Sequence, residues 1–477
     1  MEKARKLPAL QDNKMGTMPI GKLLFNMALP LAISMLVQAL YNVVDSIYVA
    51  GYSQTGVTAL SLAFPIQNLQ IGFSSGIAVG VNSLLSKSLG ENNRDRASRA
   101  AGNGILLTIL ITAAFMAFGF FGSARYYNMQ AISPETAEAG TAYTSICCIF
   151  TAGLFIQILG ERLLQASGRT VYTMIAQSAG AVVNIVLDPL FIYGFAPLGI
   201  PEMGVSGAAV ATVIGQWVGA VLVVIFNLRC NPDVSFGLKY ILPKASVLGK
   251  ILAVGIPSAI MMAIGSVMNF GMNQILLGFA GVGETASGVF GVYFKLQSFF
   301  FMPLFGINNA TISIIAFNYG ARKPRRINRT LKISVATALV IMALGTAVFQ
   351  LIPDLLMGIF STAEEAASGQ FVQIGASALR TISLCFPLAA VGIALGASFQ
   401  ALGNGIYATI TSLCRQLVVL LPAAYLLSLS GQVNAVWWSF PIAEVASALV
   451  TLLLFWNIYR KKIHPLLVAS EKQEIIS

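Results

Sequence analysis

Long apolar stretches separated by short polar segments run through the whole chain of 477 residues. A helix needs about 20 apolar residues to cross the hydrocarbon core of a bilayer, and every stretch reaches that length. The pattern therefore predicts twelve membrane-spanning helices, called spans 1 to 12 in chain order. Their predicted ranges are 23–50, 57–88, 100–123, 138–161, 170–195, 204–228, 249–279, 285–318, 330–353, 368–399, 406–428 and 433–458.

Composition supports this prediction and excludes several classes of protein. Only 10% of the residues are charged and 56% are hydrophobic, whereas soluble domains carry about a quarter charged residues. The single histidine, His464, lies in the C-terminal tail, which excludes histidine triads and histidine metal sites. The sequence has no phosphate-binding G-x-x-x-x-G-K-[ST] loop and no loop long enough for a catalytic cap. We therefore expect neither an enzyme, an ATP-driven pump nor a cofactor-binding protein.

Basic residues predict the orientation of the helices. Of the 29 Lys and Arg residues, all but Arg125, Lys295, Arg380 and Arg415 lie at the N-terminus, at the C-terminus or around alternate connections. Cytoplasmic loops collect Lys and Arg, so we expect both termini in the cytoplasm, a membrane partner and no nucleic-acid partner. The predicted regions are a cytoplasmic N-terminal segment 1–22, an N-lobe 23–228, a cytoplasmic linker 229–248, a C-lobe 249–458 and a cytoplasmic tail 459–477.

The two predicted lobes resemble each other in sequence. An offset of about 230 residues pairs Pro30 with Pro257, and the turn Gln165-Ala166-x-Gly168 matches Gln400-Ala401-x-Gly403. Each repeat holds six spans, so the two copies share one orientation and are related by an axis along the membrane normal. The predicted fold is an all-α integral membrane protein of two parallel six-helix bundles. A cleft between two such bundles is typical of secondary transporters that work by alternating access.

Acidic residues within apolar spans are the first candidates for function, because they are costly in a bilayer. Asp45 on span 1 and Asp188 on span 5 lie at similar predicted depths below the outer surface, and spans 1 to 6 contain no basic residue in their interior. A cation must therefore neutralise them, either a shared proton or a sodium ion held by Asp45, Asn184, Asp188 and Thr212. The structural alternative is that the two acids only join helices.

Neighbouring polar residues complete this predicted site. Asn42 lies three residues before Asp45, and Asn184 lies four residues before Asp188, so each pair shares a helix face. Span 6 returns from the outer surface at about the same depth. The candidate cation site comprises Asp45, Asn184, Asp188, Ala208 and Thr212, with Asn42 as polar support.

Two further features have open interpretations. Lys295, Arg380, Arg415 and Glu444 lie within apolar runs of the C-lobe, and the residues favour a structural network over a functional one. Pro30 lies inside span 1, where a proline permits a kink. From the sequence alone, that kink is either static or a moving hinge.

The chain resembles the MATE family of multidrug and toxic compound extruders over almost its whole length. The resemblance rests on Pro30, Asn42 and Asp45 of span 1 and on the two Gln-Ala-x-Gly turns. It also rests on the pattern Asn184-x-x-x-Asp188-Pro189 and on Gly204-x-x-Gly207-Ala208-Ala209-x-Ala211-Thr212. Span 7 has Asn269 and Met272 but no acid, and span 10 has none either, so the chain is similar to the DinF-like and MepA-like bacterial branch.

The resemblance implies a secondary efflux antiporter of the bacterial cytoplasmic membrane. Such a protein exports amphipathic, mostly cationic drugs or dyes in exchange for H⁺ or Na⁺, and we expect it to be a monomer. The resemblance also implies cation coupling at Asp45, Asn184, Asp188, Ala208 and Thr212, and a bend at Pro30. The alternatives on the same fold are a flippase for lipid-linked saccharides and an exporter of an endogenous metabolite. Arg380 and Arg415 keep the flippase alternative open.

Overall fold

The computed structural model describes residues 13–130, 133–360 and 369–476, which form helices joined by short loops. Ten helices in these ranges are long and apolar enough to cross a membrane. Two further pairs of helices, bent by 46° and 49°, bring the number of spans to twelve if each pair is one span. The predicted all-α membrane fold is thereby confirmed. The residues 1–12 of the predicted N-terminal segment lie outside the described ranges.

The helices extend beyond the predicted spans at several ends. Spans 1 to 6 are Ile20–Tyr52, Gln54–Gly90, Arg94–Phe121, the pair Pro134–Ile149 and Ala152–Ala166, Thr170–Ile192, and Val205–Cys230. Spans 7 to 10 are Ala245–Leu277, Gly283–Gly320, Pro324–Leu351, and the pair Gln370–Ser383 and Phe386–Ala401. Span 11 comprises Gly405–Leu413, the π-helix Cys414–Leu420 and Leu421–Ser428, and span 12 is Ser439–Ile458.

Short helices connect the spans or continue them. Span 12 continues through a π-helical segment into the last helix, so the predicted polar tail is helical as far as the structure describes it. The short helices are Lys14–Thr17, Ser123–Asn128, Ala196–Leu198, Leu238–Ile241, Pro353–Gly358, Val433–Val436, Tyr459–Ile463 and His464–Ile476.

The two lobes pack against each other through the first two helices of each repeat. Span 2 lies against span 7, and span 1 lies against span 8. The contact is closest at the end of the molecule where spans 2 and 8 finish, at Gly90 and Gly320, which we call the basic end because Lys and Arg residues cluster there. Span 2 is buried from Gly76 to Leu89 except at Lys87. The lobes are therefore closed against each other at the basic end.

Polar side chains line this closed contact. The Ser313 hydroxyl on span 8 donates to Asn82 Oδ1 on span 2 at 3.1 Å. The Ser83 hydroxyl on span 2 donates to the Gln400 carbonyl oxygen at 2.8 Å, and Gln400 belongs to the second Gln-Ala-x-Gly turn. Because both hydroxyls are buried, each needs such a partner in this position.

Candidate functional site

The centre of the candidate site is a buried polar group between spans 5 and 6. Asn184 Nδ2 donates to Asp188 Oδ1 at 3.1 Å and to the Thr212 hydroxyl oxygen at 3.4 Å. Asp188 is fully buried, and Asn184 and Thr212 are also buried. Small residues at the start of span 6 permit this close approach, since a Cβ at Gly207 would collide with the Phe191 carbonyl oxygen of span 5.

Span 1 brings the second carboxylate to this group. Span 1 packs along span 5, and Gln177 Nε2 donates to Gln38 Oε1 at 2.9 Å across the two helices. Asp45 is half-buried and close enough to Asp188 for their charges to interact. The Tyr41 hydroxyl interacts with Gln38 and lies near both carboxylates. The two acids that the sequence analysis selected therefore lie in one site.

Three further polar side chains of the site were missed by the sequence analysis. Gln38, Tyr41 and Asp45 follow one another at i, i+3 and i+7, so they share one stripe of span 1. That spacing could have predicted from the sequence that Gln38 and Tyr41 lie on the same side of span 1 as Asp45. Tyr143 on span 4 accepts a hydrogen bond from Gln67 Nε2 at 2.9 Å and lies near Asp45. Tyr143 carried no local signal, because its place beside Asp45 depends on how span 4 packs.

Several oxygen atoms of the site lack a hydrogen-bond donor. Asp45 Oδ1, Asn184 Oδ1 and Asp188 Oδ2 are buried and have no hydrogen-bond partner in the described part of the chain. The ion pairs of the described residues include neither carboxylate. Buried acceptors of this kind each carry a desolvation cost that a proton or a hard cation would remove. Ala208 is fully buried on span 6, whereas the side chain of Asn42 lies outside the described part of the chain.

The connection between spans 5 and 6 covers the side of this site that faces away from the basic end. The Tyr193 hydroxyl donates to the Tyr48 carbonyl oxygen of span 1 at 2.8 Å. The rings of Tyr52 and Tyr193 meet edge to face with centroids 6.1 Å apart, and Gly204 lies directly against Tyr52. The C-terminal end of span 1 is thus held to spans 5 and 6 by contacts separate from the carboxylates.

Pro30 lies inside span 1, which continues unbroken through it. A proline has no N–H, so the Asn26 carbonyl oxygen one turn earlier loses its helical donor. The Thr170 hydroxyl at the start of span 5 lies 3.4 Å from that oxygen and donates to it. The described contacts therefore supply a substitute donor at the proline.

The family model MatE matches residues 30–190 and 257–426, which cover both repeats and most of the chain. The chain belongs to the MatE family. This membership assigns the protein to multi-pass membrane transporters rather than to enzymes.

Relatives of this MatE protein cover nearly its full length. The multidrug export protein MepA of Staphylococcus saprophyticus is 25% identical over 439 residues, 92% of this chain and 94% of MepA. MepA of Staphylococcus aureus is 24% identical over 456 residues, with the same coverage of both chains. The match extends over both lobes, so the whole transporter unit is shared.

Solved structures share the fold. A MATE transporter in complex with MaL6 has a TM-score of 0.87 at 24% identity and covers 96% of this chain and 99% of its own. An outward-facing multidrug resistance transporter of the family has a TM-score of 0.86 at 24% identity, covering 98% and 99%. A Pyrococcus furiosus transporter of the MOP superfamily, described as having a binding pocket of reversed polarity, has a TM-score of 0.86 at 26% identity, covering 96% and 98%.

The four charged residues predicted to form a network in the C-lobe of this MatE protein do not all meet. Arg415 Nη1 lies 3.0 Å from Glu444 Oε1 between spans 11 and 12. Arg380 instead pairs with Asp354 at 3.2 Å, and both of those side chains are more than half exposed. Lys295 is exposed and has no ion-pair partner among the described residues. Of the four predicted network residues, only Arg415 and Glu444 form an ion pair with each other among the described residues.

The end of span 4 lies beyond its predicted bound at residue 161. The helix continues to Ala166, so both Glu161 and Arg162 lie within it. Glu161 is buried and accepts a hydrogen bond from Gln157 Nε2 at 3.0 Å, while Arg162 Nη1 donates to Gln165 Oε1 at 3.0 Å. Neutral amide partners one turn away satisfy both charges, so the helix tolerates them in its last turns.

Proposed function

We propose that this MatE protein is a secondary multidrug antiporter that exports amphipathic, mostly cationic compounds in exchange for H⁺ or Na⁺. The observation that carries the proposal is the set of buried oxygens on Asp45, Asn184 and Asp188 that have no partner among the described side chains. Two carboxylates without a basic partner bind positive charge, and they favour sharing a proton or accepting a hard monovalent cation. The printed names of the MepA relatives support multidrug export as the activity.

Exchange follows if the two positively charged ligands compete for one site. A bound cation or proton neutralises the Asp45 and Asp188 carboxylates and weakens the attraction for a cationic drug. The ligand that binds one conformation better then shifts the protein towards that conformation. In the outward-facing state, binding of the coupling ion rearranges the outer end of span 1 around Pro30, and the drug leaves. Release of the ion to the cytoplasm resets the transporter.

We also propose an orientation of this protein in the membrane. The basic end faces the cytoplasm by the distribution of Lys and Arg, and both termini lie on that side of a bacterial cytoplasmic membrane. In that orientation the closed basic end corresponds to an outward-facing conformation, and a solved structure described as outward-facing shares this fold. We propose that a single chain is the transporting unit.

The test is dye efflux from proteoliposomes under an imposed proton gradient or an imposed sodium gradient. We expect one gradient to drive efflux by the wild type, and Asp45→Asn and Asp188→Asn each to lower the gradient-driven rate by about tenfold or more. Asp354→Asn is the matched control, because the same chemical change there affects an exposed ion pair with Arg380. It is expected to keep the wild-type rate.

Two results would contradict the proposal. Full efflux by the Asp45→Asn and Asp188→Asn variants at wild-type expression would remove the coupling role of the N-lobe site. Failure of both gradients to move any cationic dye through folded wild-type protein would favour a flippase for lipid-linked saccharides or an exporter of a metabolite.

A further inference from the structure

We infer that two short segments cross between the lobes and hold the basic end closed, one preceding span 1 and one preceding span 7. We call them the N-terminal clasp, Asn13–Met18, and the linker clasp, Ser235–Lys244. Arg326 and Asn103 are the positioning residues that bind these clasps. This inference rests on the proposed alternating access, in which the lobes must separate at the basic end.

The N-terminal clasp lies against the corner between spans 8 and 9 of the opposite lobe. Arg326 Nη2 donates to the Met15 and Met18 carbonyl oxygens at 3.1 and 2.7 Å. Asn318 Nδ2 donates to the Met15 oxygen at 3.1 Å, and Lys323 Nζ donates to the Gly16 oxygen at 2.9 Å. Three side chains of the C-lobe therefore bind three backbone carbonyls of a segment that directly precedes the N-lobe.

The same clasp also contacts its own lobe. Met15 is fully buried, and a Cβ at Gly168 would lie 3.2 Å from Met15 Cγ and 3.1 Å from Lys14 Cε. Burial, together with the nearby Arg169 charge, lowers the pKa of Lys14. The N-terminal clasp consequently lies between the first Gln-Ala-x-Gly turn of the N-lobe and the corner between spans 8 and 9 of the C-lobe.

The linker clasp repeats this arrangement on the other lobe. Asn103 Nδ2 on span 3 donates to the Tyr240 and Leu242 carbonyl oxygens at 3.1 and 3.3 Å. Asn103 Oδ1 accepts a hydrogen bond from the Lys244 backbone N–H at 2.9 Å. The Ser235 backbone N–H donates to the Ser98 hydroxyl oxygen of span 3 at 2.9 Å. In both repeats, the segment before the first helix thus binds the second or third helix of the opposite lobe.

The contact between the lobes beside the clasps includes hydrogen bonds made by buried polar side chains. Ser313, Asn82 and Ser83 join the lobes through hydrogen bonds that water can replace when the contact opens. Apolar side chains of both lobes, including Leu85 and Ile314, pack in the same region. The clasps add further hydrogen bonds between the lobes, and those donated by the charged Arg326 and Lys323 side chains are stronger than neutral ones.

The test measures how often the basic end opens, in the absence of any drug or gradient. Ser313→Cys is the reporter in protein whose five native cysteines are replaced. Ser313 is fully buried between the lobes, so a water-soluble maleimide reacts with the cysteine only when they separate. Arg326→Ala and Asn103→Ala are the test variants, and Arg326→Lys is the conservative variant. Ser447→Cys, buried in span 12 within the C-lobe, is the control reporter.

We expect Arg326→Ala and Asn103→Ala each to raise the labelling rate of Ser313→Cys by about tenfold. Arg326→Lys should recover part of the difference, because a lysine retains one charged donor, and the Ser447→Cys rate should not change. Unchanged labelling of Ser313→Cys would overturn the inference. An equal rise at both reporters would also overturn it, since Arg326 and Asn103 would then stabilise the protein generally. Labelling needs no transport, so these outcomes are independent of the dye-efflux test.

Discussion

Substitution of Gly76 on span 2 tests whether the close contact between spans 2 and 7 stabilises the closed state of the basic end. A Cβ at Gly76 would lie 2.6 Å from the Gly255 carbonyl oxygen and 2.8 Å from the backbone nitrogen of Ala259, both on span 7. Backbone atoms cannot rotate away, so Gly76→Ala forces spans 2 and 7 apart. Gly72→Ala is a matched control one turn away, because its nearest neighbours would lie 3.7 and 3.8 Å from the new Cβ.

The expected magnitude follows from the cost of overpacking. Inserting a methyl group into a well-packed contact costs about 1–3 kcal/mol. Only the closed state carries this cost, since the two helices separate when the basic end opens. The population of the open state should therefore rise by a factor of about 5–150. The gain in helix propensity from Gly to Ala, about 1 kcal/mol, is common to both states and cancels.

Maleimide labelling of Ser313→Cys is the assay for this change. We expect Gly76→Ala to label at least about fivefold faster than the parent protein, while Gly72→Ala stays within about twofold of it. Equal rates in the two glycine variants, with both proteins folded by size-exclusion chromatography, would refute the reasoning. Slower labelling of Gly76→Ala would refute it as well.

Two further predictions concern buried polar contacts. Glu444→Gln removes the charge that pairs with Arg415, and because Arg415 keeps 28% exposure we expect a loss of about 2 kcal/mol, below the range for fully buried pairs. Thermal unfolding in detergent measures it, and an unchanged midpoint would contradict the prediction. Thr170→Val leaves the Asn26 carbonyl without a donor, at a cost of about 1 kcal/mol. In a Pro30→Ala background the backbone N–H of residue 30 can donate to the Asn26 carbonyl. Thr170→Val should then leave the unfolding midpoint almost unchanged. An equal loss of stability in both backgrounds would exclude the contact between Thr170 and Asn26.

The sequence by itself determined the spans, the repeat and the central carboxylates. Hydropathy and basic-residue counts are sums over neighbouring residues, so they do not depend on how the helices pack. Asp45 and Asp188 were predicted for the same reason, since an acid within an apolar run carries its desolvation cost wherever the helix lies. Span ends were less certain, as the charged end of span 4 illustrates, because polar neighbours within one helix can satisfy charges.

Only the tertiary structure decided which polar groups meet. Arg380 and Arg415 have similar sequence surroundings, yet Arg415 pairs with Glu444 inside the C-lobe and Arg380 pairs with exposed Asp354. Tyr143 reaches the Asp45 site from a different helix, and the clasps bind lobes to which they do not belong in the chain. Partner choice depends on the rotation, depth and close approach of distant helices. Those quantities are set by small residues such as Gly76, whose contact atoms are about 180 positions away in the sequence.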